Sequence, residues 1–194
     1  MKIKTTSPKR VVCIGLGPIG VETCKLILKN PSLRLVGLVD KDAQKAGKDV
    51  LNCGIRVEAS LVDCLRKAKP ALVFLTTSSR FRSVEKDIQA IVSLGADVVY
   101  SCEELSYPWL RGGSAAGRLD GLVRKHGRRV LGTGVNPGFV MDALPLMLVN
   151  VCQKVDSIRV RRVVDVAKRR LPLQRKMSVG LSRQEFEKKL KDAT

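Results

Sequence analysis

The chain has 194 residues, 44% hydrophobic and 28% charged, which is enough apolar material for one domain with a buried core plus part of another and excludes disorder along most of its length. Lys and Arg number 36 against 18 Asp and Glu, a net +18; such a balance invites a polyanion, but the excess is spread along the chain and only denser after residue 150, where 13 basic residues face 5 acids. Aromatic residues, at 4%, are too few for the stacking platform of a single-strand binder, so nucleic acid is not the expected partner.

Short β-branched runs alternate with helical patterns, which predicts an α/β fold with a parallel sheet and crossover helices. Residues 10–15 read as the first strand, and 19–29 as a helix with Ile19, Cys24, Ile27 and Leu28 available to face the sheet, ended by Pro31. Strands follow at 33–40 and 55–58; Ser60 caps a helix to Lys69; a fourth strand spans 71–76. A helix over 83–94 closes at Gly95, where a C-cap glycine belongs, and a fifth strand covers 97–101. Residues 114–126 form a helix weakened by two internal glycines, and 129–131 begin a sixth strand. Beyond Pro145 the pattern changes to a long alternating strand at 157–166, a basic loop, and a helix opened by a capping box of Ser182 and Glu185. The expected architecture is a Rossmann-type doubly wound sheet over residues 1–150, with the beginning of a second, α+β domain over 151–194.

Six cysteines, at positions 13, 24, 53, 64, 102 and 152, form no C-x-x-C pair, and His126 is the sole histidine. No metal site is expected, and thiols inside apolar runs act as small hydrophobes, which suits a reducing cytoplasm. The apolar run after the basic start breaks too early for a signal segment, and no stretch reaches membrane-spanning length. The expectation is a cytoplasmic protein without a membrane partner.

The strongest chemical signal is Gly15-Leu16-Gly17-Pro18-Ile19-Gly20 at the first strand-to-helix turn, with Asp40 closing the second strand. This spacing is a dinucleotide fingerprint in its proper setting. Gly15 permits the turn, Gly17 lets backbone approach a pyrophosphate, Gly20 lets helix and strand pack closely, and the helix start around Pro18 and Ile19 offers N–H groups to phosphate. Asp40 suits the ribose hydroxyls of NAD, whereas Lys41 beside it would attract the 2′-phosphate of NADP; the cofactor is therefore NAD or NADP. Thr76, Thr77 and Ser78, with Ser79, sit at the end of the fourth strand, either touching cofactor or capping the next helix. At the end of the fifth strand, Glu103 and Glu104 place two carboxylates at the same edge; mutual repulsion favours a proton on one of them, as general acid–base work requires, and a solvated loop is the plainer alternative. Cys102 reads as a buried thiol. Residues 132–145, rich in Gly and Pro, either approach a ligand or cross between domains, with a helix starting near Phe139.

These residues carry a resemblance. The fingerprint, the Ser-Cys-Glu-Glu-Leu-Ser-Tyr-Pro stretch at 101–108, the Gly-Thr-Gly-Val-Asn-Pro-Gly-Phe segment at 132–139, and the tail at 162–165 and 169–174 are similar to the 2,4-diaminopentanoate dehydrogenase family. That family includes native amine dehydrogenases and is related to the dihydrodipicolinate reductases, whose His-His-x-x-Lys signature is absent here. Its members are longer, so the chain resembles their first half and reads as a truncated member. The resemblance implies NAD(P)-dependent interconversion of an amine or diamino acid with a ketone plus ammonia. It further implies Glu103 or Glu104 as the proton-handling residue, Asn136, Phe139 and Leu144 about the substrate, and a homodimer in the full-length form. The alternatives are an NAD(P)-binding fragment without turnover, or an imine reductase of the dihydrodipicolinate reductase-like type.

Overall fold

The computed structural model describes residues 7–169 and 171–191; the first six residues of the basic start and Arg170 of the tail pattern lie outside the described residues. Six parallel strands, β1 (Lys9–Ile14), β2 (Leu33–Val39), β3 (Val57–Glu58), β4 (Leu72–Leu75), β5 (Asp97–Tyr100) and β6 (Val130–Gly132), form one sheet in the order β3-β2-β1-β4-β5-β6. The chain winds outward from β1 in one direction, returns, and winds outward in the other. Strand order therefore reverses between β1 and β4, the point beyond whose carboxyl ends open α/β sheets of this kind form a crevice. The register brings Ile14 opposite Val39 on one side and Leu75 on the other, so three strand ends finish level at that point.

Strand β1 shows why the sheet must be covered on both faces. Val11 and Cys13 point to one face and Val12 and Ile14 to the other, and all four are buried. Val11 and Cys13 pack with Cys24 and Ile27 of α1 (Pro18–Lys29). Val12 and Ile14 share a cluster with Cys64 and Leu65 of α2 (Leu61–Ala68), Val84, Ile88 and Ile91 of α3 (Phe81–Ser93), and Leu119 and Val123 of α4 (Trp109–Lys125). This is the expected doubly wound Rossmann arrangement, with loop alone linking β2 to β3. Among the described residues, no helix is long and apolar enough to cross a membrane.

Several elements differ from expectation in instructive ways. The buried stripe of α1 is Gly20, Cys24 and Ile27, spaced four and three residues apart; Ile19 and Leu28 fall beside that stripe and are exposed. Helix α3 starts two residues early, at Phe81, because a side chain from another loop receives that residue's amide. Helix α4 starts five residues early: Gly112 N–H donates to Pro108 O at 2.7 Å, closing a turn, and the axis then kinks at Gly113 (φ 44°, ψ −122°).

The chain separates into two compact units, Met1–Gln153 and Lys154–Thr194. The second contains a short turn at Val166–Lys168, α6 (Leu171–Lys176) and α7 (Arg183–Lys191). The capping box forms as expected: Ser182 N–H donates to Glu185 Oε2 at 2.8 Å, and Glu185 N–H to Ser182 Oγ at 3.4 Å. The basic loop instead contains α6, and the strand expected at 157–166 is not formed. Alternating side chains specify which face a strand would bury, but a strand exists only through a ladder to a neighbour. No described strand pairs with this segment, and nearly all of it is exposed.

Candidate functional site

The sheet's reversal point is shaped by glycines. Gly15 leaves β1 with φ +88°, its N–H donating to Val39 O at 2.8 Å. A Cβ there would lie 2.8 Å from the Thr77 methyl and 2.9 Å from the Thr76 carbonyl. A Cβ on Gly20 would collide with the Gly15 carbonyl, so α1 sits as close to β1 as only glycine allows. Gly17 is the opposite case: a Cβ would meet no atom within 4 Å. It forms the N-cap of α1 without a side-chain cap, Pro18 follows, and the first helical bond runs from Val21 N–H to Gly17 O at 2.9 Å. The amides of Ile19 and Gly20 therefore head the helix without intrahelical acceptors.

Asp40 stands beside this turn, its side chain only 13% exposed. It accepts from Leu16 N–H at 2.7 Å, Asp42 N–H at 2.9 Å and the Lys45 ammonium at 3.0 Å. Burial alone would push its carboxyl up; the two amides and Lys45 outweigh that and hold it below the ordinary aspartate range. Lys41 does not join it. Its ammonium lies 3.9 Å from Asp87 in α3 and is largely exposed.

The ends of β4 and β5 are tied together. Thr76 Oγ1 donates to Gly15 O at 2.7 Å, under the glycine turn. The phenol of Tyr100, fully buried, donates to Ser78 O at 2.9 Å and receives Ser78 N–H at 3.2 Å. Its single proton being used, it is the acceptor for the Thr77 hydroxyl at 3.3 Å. Burial pushes this phenol up to about 12. The buried Cys102 thiol donates to Ser79 O at 2.9 Å. Glu104 Oε2 then accepts Phe81 N–H at 2.7 Å, capping a helix whose own N-cap, Arg80, offers no side-chain oxygen. Of the four hydroxyl residues at 76–79, none caps α3 in the usual way; Ser78 Oγ accepts Arg80 N–H at 3.2 Å just outside it.

Glu104, half-buried, and Glu103, exposed, open a short turn at Glu103–Ser106. A cavity of about 560 Å³ beside Glu104 is lined by that residue, Phe81, Glu85, Arg80, Arg82 and Arg118 among others. The segment after β6 packs against the same turn. Thr133 N–H donates to Tyr100 O at 2.9 Å, the Asn136–Pro137 peptide is cis, and Gly138 N–H donates to Asp142 Oδ2 at 2.7 Å. Helical geometry resumes at Phe139, as expected, and runs into α5 (Leu144–Leu148). Asn136 and Phe139 are exposed and Leu144 is half-buried; none of the three lines the cavity by Glu104. Sequence reasoning overlooked Tyr100 and Lys45: the first looks like a core aromatic, and the second sits in an Asp-rich turn with no motif to mark it.

Comparison with known proteins agrees with the resemblance read from the residues. Residues 139–194 match the family described as the 2,4-diaminopentanoate dehydrogenase C-terminal domain. The chain is 28% identical over 193 residues to the 2,4-diaminopentanoate dehydrogenase of Acetoanaerobium sticklandii, covering 95% of this chain and 54% of that protein. It is 27% identical over 163 residues to an amine dehydrogenase of Streptomyces virginiae, covering 78% and 44% respectively. The structure of an amine dehydrogenase from Mycobacterium smegmatis superposes with a TM-score of 0.68 at 22% identity, over 75% of this chain and 45% of that one, which establishes the common fold. The chain thus spans about half the length of the curated relatives it matches.

Proposed function

We propose that this chain is the dinucleotide-binding part of an NAD(P)-dependent amine dehydrogenase, which interconverts an amine or diamino acid with a ketone plus ammonia. The observation that carries the reading is the open helix start at Gly17, set at the strand-order reversal with a charged, amide-fixed Asp40 beside it. The residues fit a pyridine dinucleotide. Gly17 leaves room for diphosphate, the Ile19 and Gly20 amides and the positive end of α1 face it, and Asp40 is an acceptor for adenosine ribose. When bound, the nicotinamide exchanges a hydride with the amine-bearing carbon. The chain's own work is positioning and proton transfer. Thr76, Thr77 and Ser78 form a fixed wall at the end of β4. Glu103 and Glu104 are the carboxylates to take a proton from the substrate's nitrogen or return it. Glu104 has one oxygen engaged by Phe81, which leaves the other for this task. Asn136, Phe139 and Leu144 border the substrate.

In this reading the dinucleotide-binding domain ends near residue 150, the remainder opens the substrate and dimerisation domain, and the full-length enzyme is a cytoplasmic homodimer. The test is titration with NADH and NADPH, then ketone-dependent oxidation in ammonia buffer. Binding with turnover is expected; absence of binding for both nucleotides overturns the proposal. A second reading, binding without turnover, is favoured by Phe139, which the first reading sets at the substrate and which is 53% exposed. Tight binding with no ketone-dependent rate supports it.

A further inference from the structure

Cofactor choice in this fold turns on the acid at the end of β2, and here that acid is already engaged. Two of Asp40's partners, Leu16 N–H and Asp42 N–H, are backbone donors that cannot leave without moving the turn. The third, the Lys45 ammonium at 3.0 Å, is carried on a flexible stem and is shared with Asp42 Oδ2 at 3.4 Å. A carboxylate offers about four acceptor positions, so with three taken Asp40 cannot receive both ribose hydroxyls unless Lys45 lets go. Lys45 remains 30% exposed and within reach of solvent. Lys41, adjacent to Asp40 in the chain, is directed to Asp87 instead.

Building on the dinucleotide reading above, we propose that Lys45 is the specificity-determining residue of the adenosine corner: it neutralises Asp40 and supplies the cation for a ribose 2′-phosphate, so that NADP(H) is accepted alongside NAD(H). A 2′-phosphate would meet a lone aspartate as like charge; here the Asp40 charge is already compensated by the Lys45 ammonium, which would also attract the phosphate. Desolvation is the largest single influence on Lys45 and would lower it, but Asp40 and Asp42 together outweigh it and keep the amine above the ordinary lysine value and charged. Swinging from Asp42 onto phosphate exchanges one acceptor for another and leaves the Asp40 bond in place. For NAD, the same side chain withdraws and returns an acceptor position to the ribose.

The experiment measures NADPH, NADH and 2′,5′-ADP binding to the unaltered protein and to Lys45→Gln and Lys45→Arg, with a thermal melt of each. Loss of one charge-assisted contact predicts a drop of about tenfold or more in NADPH and 2′,5′-ADP affinity for Lys45→Gln. NADH should stay within about threefold, and Lys45→Arg should retain NADPH. Asp40→Ala should shift preference the other way. A measurement without mutation accompanies these: acylation of Lys45 by acetic anhydride, read by mass spectrometry, should be blocked by NADPH and not by NADH. Equal loss of both nucleotides in Lys45→Gln, equal protection of Lys45 by both, or an unaltered protein that binds NADH alone overturns the inference and leaves the dinucleotide reading standing. If neither nucleotide binds, the dinucleotide reading falls and this inference with it.

Discussion

At the β1–α1 corner, the surface is shaped by backbone and by missing side chains; at the ends of β4 and β5, it is shaped by side chains reaching across from other loops. Gly15 and Gly20 allow two segments to touch, and Gly17 leaves a gap. Tyr100, Cys102 and Glu104 instead fasten residues 78–81 by a phenol, a thiol and a carboxylate. In the first, the three glycines that set the shape lie within six residues of one another, and Val39 and Thr76 close on them from neighbouring strands. The second joins positions more than twenty apart, so its parts have different tolerances, and mutations separate them.

The largest effect is expected at the corner. Gly20→Val drives a branched side chain into the Gly15 carbonyl, and backbone there has nowhere to yield because Thr76 Oγ1 and the β1–β2 bond to Val39 hold it. A loss on the order of 3–5 kcal/mol is expected, enough to abolish folding of a marginal domain; urea unfolding checks it. Gly17→Ala is the contrast. It changes stability by no more than about 1 kcal/mol and lowers NADH and NADPH affinity about tenfold or more by filling the gap. If Gly17→Ala destabilises as much as Gly20→Val, the division of labour within the turn is wrong.

At the rim, Glu103→Gln and Glu104→Gln replace each carboxyl by a carboxamide of the same shape and remove the group that titrates. The substitution at the proton-handling position should lower the ammonia-dependent rate by about 10²- to 10⁴-fold, with nucleotide affinity retained. Glu104→Gln preserves an acceptor for Phe81 N–H, so its melting temperature reports the tie and its rate reports the chemistry. Two substitutions that each leave the rate unchanged remove both carboxylates from the mechanism.

Legibility follows the same division. The succession of strands and helices along the chain, the helix caps at Ser60 and Ser182, and the glycine turn could be read because each depends on periodicity or on neighbours a few residues away. The roles of Tyr100 and Glu104 could not, because their partners at 78 and 81 are brought near by the β4–β5 pairing. Lys45 was hidden for a different reason: the turn at 42–45 folds back, so the nearer lysine in sequence is the farther one in space. The segment at 157–166 fails in the other direction, since its alternation is real and its ladder is not among the described residues.

Tyr100→Phe tests the rim with a smaller change. It keeps the buried ring and deletes the oxygen, which leaves Ser78 N–H and O without their partner inside a half-buried loop. A cost of about 1–3 kcal/mol is expected, with faster amide exchange at 77–79 than at 15–20. Equal exchange in the two loops would mean that the phenol fills space and does not fasten anything.

The smallest effect is expected from acid, and it belongs to the corner. Asp40 has its folded pKa depressed below the ordinary value, since the bonds from Asp42, Leu16 and Lys45 exceed the cost of its partial burial. Its contribution is therefore fully present above the unfolded aspartate pKa of about 4. It is lost as pH falls through that value towards the lower, folded one, where the unfolded chain binds the proton first. Asp40→Asn removes the group that titrates, so its stability should decline less steeply than that of the unaltered protein between about pH 4 and pH 2. Tyr100→Phe should run parallel to the unaltered protein there, because a phenol pushed upward carries no charge in acid. Parallel curves for Asp40→Asn would mean that the Leu16, Asp42 and Lys45 contacts are as strong to the protonated acid as to the carboxylate, and the electrostatic account of the ribose end would fall.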